Sequence, residues 1–289
     1  MSYVMEIRGL EKHYTDFSLC NVDLSLAEGM VTGFIGVNGA GKTTTIKSAL
    51  GLIIPDAGEI RFFGNSCSDH NVKNRIGVIL DIQNFYEMLT LKEMKNIVAK
   101  SFKKWDERAY QGFISRFELP ERKKIKELSK GMRMKFAIAL ALSHNADLLI
   151  MDEPTSGLDP LVRAELLDIL REYMRTEGRT VFFSTHITSD LDKIADYLIL
   201  IDNGRIIMQG EKDALIDSHG VVKGHAGSLN DEIKKLLVGF RVNAFGFSGL
   251  THNKAKIHAL LPDALIEKPS IEDLMLYYVR RDHDAAQSY

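Results

Sequence analysis

The chain has 289 residues, 45% of them hydrophobic and 26% charged, a balance that fits a globular protein of one large domain, or one domain with an appendage. A formal net charge of −2 argues against a broad electrostatic grip on nucleic acid. Cys20 and Cys67 have neither metal-ligand spacing nor a partner motif, which points to a reducing compartment without disulfides.

The amino-terminal stretch, Met1 to Tyr14, mixes Glu6, Arg8, Glu11 and Lys12 into its apolar residues and does not read as a signal peptide. Nowhere is there an apolar run of the ~18–20 residues needed to cross a bilayer, so a membrane role requires another subunit to do the spanning. From Met5 to about Leu26 the chain alternates in short strand-like pieces, and Glu28-Gly29 is a turn. Tyr14 has two readings at this stage, a half-buried strand residue or an exposed ring that stacks on a base.

Met30 to Ile35 is an apolar strand-like run that enters Gly36-Val37-Asn38-Gly39-Ala40-Gly41-Lys42-Thr43-Thr44, and Thr44 to Leu50 leaves it as a helix. The stretch fits G-x-x-x-x-G-K-[ST], the phosphate-binding loop, in strand–loop–helix context. Gly36, Gly39 and Gly41 let the backbone wrap a polyphosphate with its amides turned inward. The following helix offers its positive end to the same anion. Lys42 reaches the β- and γ-phosphates, and the Thr43 hydroxyl is a magnesium ligand. Asn38, Ala40 and Thr44 complete the loop. The stretch predicts binding of a nucleoside triphosphate.

Pro55 to Gly58 turns into a strand over Glu59 to Phe63, and Arg75 to Leu80 is another short strand, followed by Asp81, Gln83 and Asn84. Thr90 to about Glu118 reads as helical, with Leu91, Met94, Ile97 and Val98 on one face and a second helix over Asp106 to Phe117. The charges from Glu118 to Glu127 suit a solvated loop. Leu128-Ser129-Lys130-Gly131-Met132 then opens a long helix to about Leu142. Ala146 to Met151 has the apolar character of a buried parallel strand and ends in Asp152-Glu153-Pro154. An acid at such a strand end is the natural partner of a phosphate loop, placed beside magnesium.

Ser156-Gly157-Leu158-Asp159-Pro160 precedes a helix over Leu161 to Met174, and the strand Thr180 to Ser184 is closed by Thr185-His186. A helix over Ser189 to Ala195 and a strand pair, Tyr197 to Ile201 and Arg205 to Met208, follow. The alternation predicts a largely parallel sheet with helices on both faces. Beyond about Ser218 the chain predicts strands over Gly220 to Gly227 and Phe240 to Gly249, an amphipathic run from Leu229 to Val238, and a helix over Ser270 to Arg280 with Ser270 and Asp273 at capping-box spacing. Asp282 to Tyr289 are expected to fray.

In order and spacing, these elements resemble the nucleotide-binding subunit of an ABC transporter over about residues 3 to 217. The distinguishing element is Leu128 to Met132, which is similar to the family's signature, usually L-S-G-G-Q. The resemblance implies a P-loop NTPase α/β fold: a mixed-sheet core with an antiparallel β subdomain and a helical subdomain at about 85–145. It implies an ATP-binding domain over 1–218 and a small C-terminal α/β accessory domain over 219–289. ATP and Mg2+ are the implied cofactors. Two such subunits would face head to tail, as a homodimer or a heterodimer, with Ser129 and Gly131 of one copy touching the γ-phosphate held by the other. The same resemblance gives Asp152 to magnesium, Glu153 to the attacking water as general base, His186 to the γ-phosphate, Asp159 to the contact between copies and Tyr14 to adenine.

Two departures stand out. Lys130 and Met132 replace the usual glycine and glutamine of the signature, and the family's glutamine position falls at Asp81, with Gln83 two residues on, so either supplies the further contact to magnesium. The pattern is most similar to exporter subunits that serve a separate transmembrane permease at the cytoplasmic face of the membrane and move drugs, antimicrobial peptides or other amphipathic cargo. An importer subunit is the alternative. A soluble ABC-type ATPase of translation or DNA maintenance is a weaker one, since this chain has one cassette and no long coiled coil between Lys42 and Ser129. Nucleic acid is not an expected partner. A groove near Phe85-Tyr86 is expected to receive the membrane subunit, although the same aromatic pair also suits an ordinary core.

Overall fold

The computed structural model describes residues 2–67, 69–80 and 85–286. Asp81 and Gln83, the two candidates for the glutamine position, lie outside these residues. Strands β1 (Tyr3–His13) and β2 (Ser18–Ala27) form an antiparallel hairpin. β3 (Val31–Ile35) runs into the phosphate loop, and α1 (Lys42–Ala49) leaves it. β4 (Ala57–Phe62) returns to pair with β1, and the short β5 (Asn65–Ser66) closes this first sheet in the order β2-β1-β4-β5.

After the single turn α2 (His70–Lys73), β6 (Ile76–Ile79) enters the central sheet. The helical segment then comprises α3 (Leu91–Ala99), α4 (Glu107–Arg116) and α5 (Lys130–Leu142). Each helix starts where a side chain can satisfy its first free amides. Thr90 and Glu93 form a reciprocal capping box on α3, Asp106 caps α4, and Ser129 caps α5. The second helix expected over Asp106 to Phe117 is α4, which starts at its Asp106 cap after α3 has ended at Ala99.

β7 (Leu148–Asp152), α6 (Pro160–Met174), β8 (Thr180–Thr185), α7 (Thr188–Ile194), β9 (Tyr197–Asp202) and β10 (Arg205–Glu211) complete the central sheet. Its order is β10-β9-β3-β8-β7-β6, parallel except for β10. Every residue of β3, β7 and β8 is buried, as required of strands covered on both faces. Alternation divides them. Phe34, Ile150 and Phe182 face α1 and the first sheet, whereas Ile35, Met151 and Phe183 face α5, α6 and α7.

The remaining elements are α8 (Lys212–Ser218), β11 (Gly220–Gly224), α9 (Asp231–Lys234), β12 (Leu237–Asn243), β13 (Gly246–Thr251), α10 (Lys254–Leu260), β14 (Leu265–Glu267) and α11 (Ile271–Ala286). They build an antiparallel sheet in the order β12-β13-β11-β14. Two expectations are corrected here, the strand over 240–249 and the end of the last helix. The amphipathic run 229–238 makes only the one turn α9 before Leu237 enters β12. The segment 240–249 is a hairpin, because Asn243 accepts from the Phe245 amide at 2.9 Å, an Asx-turn, and Gly246 at φ +149 passes where any Cβ would strike the Gly224 carbonyl. The last helix continues past 282 to Ala286. The capping box of Ser270 and Asp273 is present, each accepting from the other's amide at 3.0 Å. Ile271, Leu274 and Tyr277 of α11 pack into the same buried cluster as Leu191 and Ile194 of α7.

Candidate nucleotide and catalytic site

The loop between β3 and α1 is built by glycines in backbone states other residues resist. Gly39 and Gly41 have φ of +83 and +115, and a Cβ at Gly36 would collide with the Ile201 carbonyl oxygen. These features keep the backbone close-wound, with Val37, Asn38 and Gly39 exposed and Ala40 buried beneath them. Lys42 is buried. Its ammonium donates to the carbonyls of Gly36 at 2.8 Å and Val37 at 3.2 Å, and it lies 3.1 Å from Glu153 Oε1. A polyphosphate in this loop meets an ammonium already held at its floor.

Thr43 Oγ1 donates to Asp152 Oδ2 at 2.7 Å. The pairing joins the start of α1 to the end of β7 across the sheet. Asp152 Oδ1 accepts from Ser184 Oγ at 2.6 Å, and the same Oγ accepts from the Glu153 amide at 3.0 Å. A threonine hydroxyl beside a carboxylate is a hard oxygen pair of the kind magnesium takes, so the residues present fit the ion that the fold implies.

Glu153 itself has φ +50, unusual for a non-glycine residue. Its amide is held by Ser184, through both the carbonyl at 3.1 Å and the hydroxyl at 3.0 Å. This turn carries its carboxylate toward the loop: Oε1 faces Lys42, and Oε2 lies 2.8 Å from His186 Nδ1. Lys42, Thr43, Asp152, Glu153 and His186 are thus one connected cluster. Ser184 belongs to it too, and the sequence did not single it out. Its signal is the register of the parallel pair β7–β8, where Asp152 lies opposite Ser184, and that pairing is visible only once the strand order is known.

Tyr14 is 47% exposed, in the turn between β1 and β2 where its amide donates to Phe17 O at 2.8 Å. Phe17 lies against the Cα side of Gly41, and the rings of Tyr14 and Phe17 are 6.5 Å apart. The exposed ring is therefore beside the loop. Ser129, Gly131 and Asp159 are elsewhere. Ser129 accepts from the Met132 amide at 3.2 Å, and Asp159 accepts from Leu161 and Val162 at 3.1 Å. Gly131 faces Val162, so these residues share the adjoining amino ends of α5 and α6. Among the described residues no hydrogen bond or ion pair joins them to the loop.

At the end of α1 remote from the loop lies a mostly apolar groove of about 570 Å³, lined by Leu52, Phe62, Val78, Phe85, Val98 and Phe102 among others. Phe85 also packs on Phe136 at 5.3 Å between ring centroids, and Tyr86 is 68% exposed. Phe85 therefore lines this groove and also packs against the core. Among the described residues no helix is long and apolar enough to cross a membrane.

The family described as "ABC transporter" matches residues 19–156, and "AAA domain, putative AbiEii toxin, Type IV TA system" matches residues 123–191. The bacitracin transport ATP-binding protein BcrA of Enterococcus faecalis is 34% identical over 214 residues, 72% of this chain and 69% of that protein. Nod factor export ATP-binding protein I of Cupriavidus pinatubonensis is 34% identical over 226 residues, 75% of this chain and 69% of that protein. A solved ATP-binding subunit of an ABC transporter superposes with a TM-score of 0.67 at 30% identity, covering 74% of this chain and 92% of that one. The structure of cbiO1 from Clostridium perfringens, part of the ABC transporter complex cbiONQ, gives 0.62 at 26% identity over 75% and 92% of the two chains. The chain belongs to the ABC transporter family, as an ATP-binding subunit of the exporter type whose ATP hydrolysis energises transport through a separate membrane component.

Proposed function

We propose that this ATPase works as a pair of subunits in which Lys42 and the loop 36–44 hold the phosphates and Glu153 activates water. The observation that carries the reading is the Glu153 carboxylate, 3.1 Å from Lys42 Nζ on one side and 2.8 Å from His186 Nδ1 on the other. In the reaction, water oxygen bonds to the γ-phosphorus while the bond to the β–γ bridging oxygen breaks. Glu153 takes the proton that the water loses, and His186 keeps the carboxylate oriented. Thr43 and Asp152, together with Gln83 or Asp81, are the residues that would hold magnesium, which neutralises phosphate charge when bound. Tyr14 stacks on the base from the rim of the loop.

Ser129 and Gly131 act in trans. The amino end of α5 carries unpaired amides and a positive dipole, and in a head-to-tail pair it faces the partner's γ-phosphate. Asp159 stands at the neighbouring amino end of α6, at the contact between copies. The apolar groove beside Phe85 receives a short helix of the membrane subunit, which places the chain at the cytoplasmic face of the membrane. By likeness to the bacitracin and Nod factor proteins, the cargo is a peptide, antibiotic or other amphipathic molecule. Residues 1–218 form the ATP-binding domain, and 219–289 an accessory unit that contributes to pairing.

The test is Glu153→Gln. The variant keeps shape and hydrogen bonding but cannot take the proton, so turnover should fall by at least about a hundredfold while ATP-bound pairs persist in size-exclusion chromatography. Hydrolysis at the wild-type rate would remove Glu153 from the chemistry.

A further inference from the structure

The C-terminal segment holds no part of the nucleotide site, yet three of its ring side chains converge on one point. His219 leads from α8 into β11, His252 follows β13, and Tyr278 lies in α11. The Nε2 atoms of His219 and His252 each lie 3.0 Å from the Tyr278 hydroxyl. The two imidazole centroids are 3.9 Å apart.

The protonation of His219 follows from its partners. Its Nδ1 lies 2.6 Å from the Leu215 carbonyl oxygen, which can only accept, so the ring proton is on Nδ1 and Nε2 offers a lone pair. His219 is 1% exposed. A neutral imidazole with Nδ1–H on a backbone carbonyl is how metal-ligating histidines are commonly fixed. The phenol has one proton, so Tyr278 donates to His219 and accepts from His252. A tautomer change at His252 turns its Nε2 into a second lone pair aimed at the same point.

We propose that His219, His252 and Tyr278 form a site for a divalent transition-metal ion of the zinc class, with two imidazole nitrogens, one phenolic oxygen and water as ligands. Tetrahedral zinc with bonds of ~2.0–2.1 Å places its donors about 3.3 Å apart, close to the 3.0 Å separations found here. Nitrogen and oxygen donors of this type suit zinc and copper(II) rather than magnesium or calcium. Among the described residues no three His, Cys, Asp or Glu side chains are grouped to hold a metal; the third donor here is a tyrosine. The ion would tie α11 to the start of β11 and the end of β13, and so fasten the element that packs on α7.

The test uses the full chain, free of tag and nucleotide and stripped with chelator, titrated with zinc chloride in a calorimeter and with cobalt(II) in a visible spectrometer. Stoichiometric zinc binding and a cobalt spectrum of tetrahedral intensity are expected. His252→Gln and Tyr278→Phe should each weaken zinc at least about tenfold with circular dichroism unchanged. His252 is exposed, and Tyr278→Phe keeps the ring, so both variants avoid the folding risk of replacing buried His219. Failure of the wild type to bind zinc would overturn the proposal. So would undiminished binding in both variants, which would place the metal elsewhere on the chain.

Discussion

Ser184 of β8 donates a 2.6 Å hydrogen bond to Asp152 of β7, and its oxygen accepts from the Glu153 amide at 3.0 Å. One buried hydroxyl thereby positions both acids of the site. Ser184→Ala leaves a buried carboxylate oxygen short of a partner and the Glu153 amide with the Ser184 carbonyl alone, a loss of about 1–3 kcal/mol. Turnover should fall by roughly tenfold or more, and more magnesium should be needed for half-maximal ATPase activity. An unchanged magnesium dependence would show that Ser184 does not position Asp152.

Lys42 and Glu153 form an ion pair whose side chains are only 6% and 11% exposed. Removing one member strands the other in a poorly solvated place. Lys42→Ala should abolish ATP binding and lower the urea midpoint, whereas Lys42→Ala/Glu153→Gln should recover part of that stability. A coupling of about 0.5–3 kcal/mol is expected from the double-mutant cycle. Strict additivity would mean that the pair contributes nothing to the fold.

His144 is buried in the wall of the groove, stacked on Phe102 at 3.8 Å between centroids. Burial pushes its pKa below the ordinary 6.5, and hydrogen bonding to the carbonyls of Ile76 and Leu140 only partly opposes this. Between that lowered value and 6.5 the unfolded chain binds the proton and the folded chain does not. Stability from this group is therefore complete above about pH 6.5 and is lost as the pH falls toward the lowered value. Urea midpoints at about pH 7.5 and pH 5.5 should differ less in His144→Gln than in wild type. Equal differences in both proteins would exclude the histidine as the source.

Gly239 of β12 lies where any Cβ would meet the Tyr277 carbonyl oxygen of α11. Gly239→Ala should push α11 off the sheet at a cost of about 1–3 kcal/mol. Amide exchange should quicken in α11 and β12 while the exchange of β3 and β7 is unaffected. Uniform exchange changes across the chain would instead indicate general destabilisation.

The parts of this fold that the sequence displays are those where one local pattern serves one purpose. The loop 36–44, the buried run before Asp152 and the cap at Ser270 are local statements, and all are present. The segment 240–249, expected as one strand, is a hairpin for the same reason. Its hairpin depends on Gly246 passing Gly224 in another strand, a relation no local pattern contains. Ser184 escaped notice because its partner is far away in sequence, and the convergence of His219, His252 and Tyr278 depends on three elements docking together.

The packing of α11 on α7 sets an order on synthesis. Leu191 and Ile194 share a buried cluster with Ile271, Leu274 and Tyr277. While a ribosome is still making the intervening residues, the nascent ATPase carries an apolar strip on α7 with its permanent cover not yet translated. Such a strip is the kind of surface a chaperone covers during that interval, and its cover comes from residues translated after the catalytic centre.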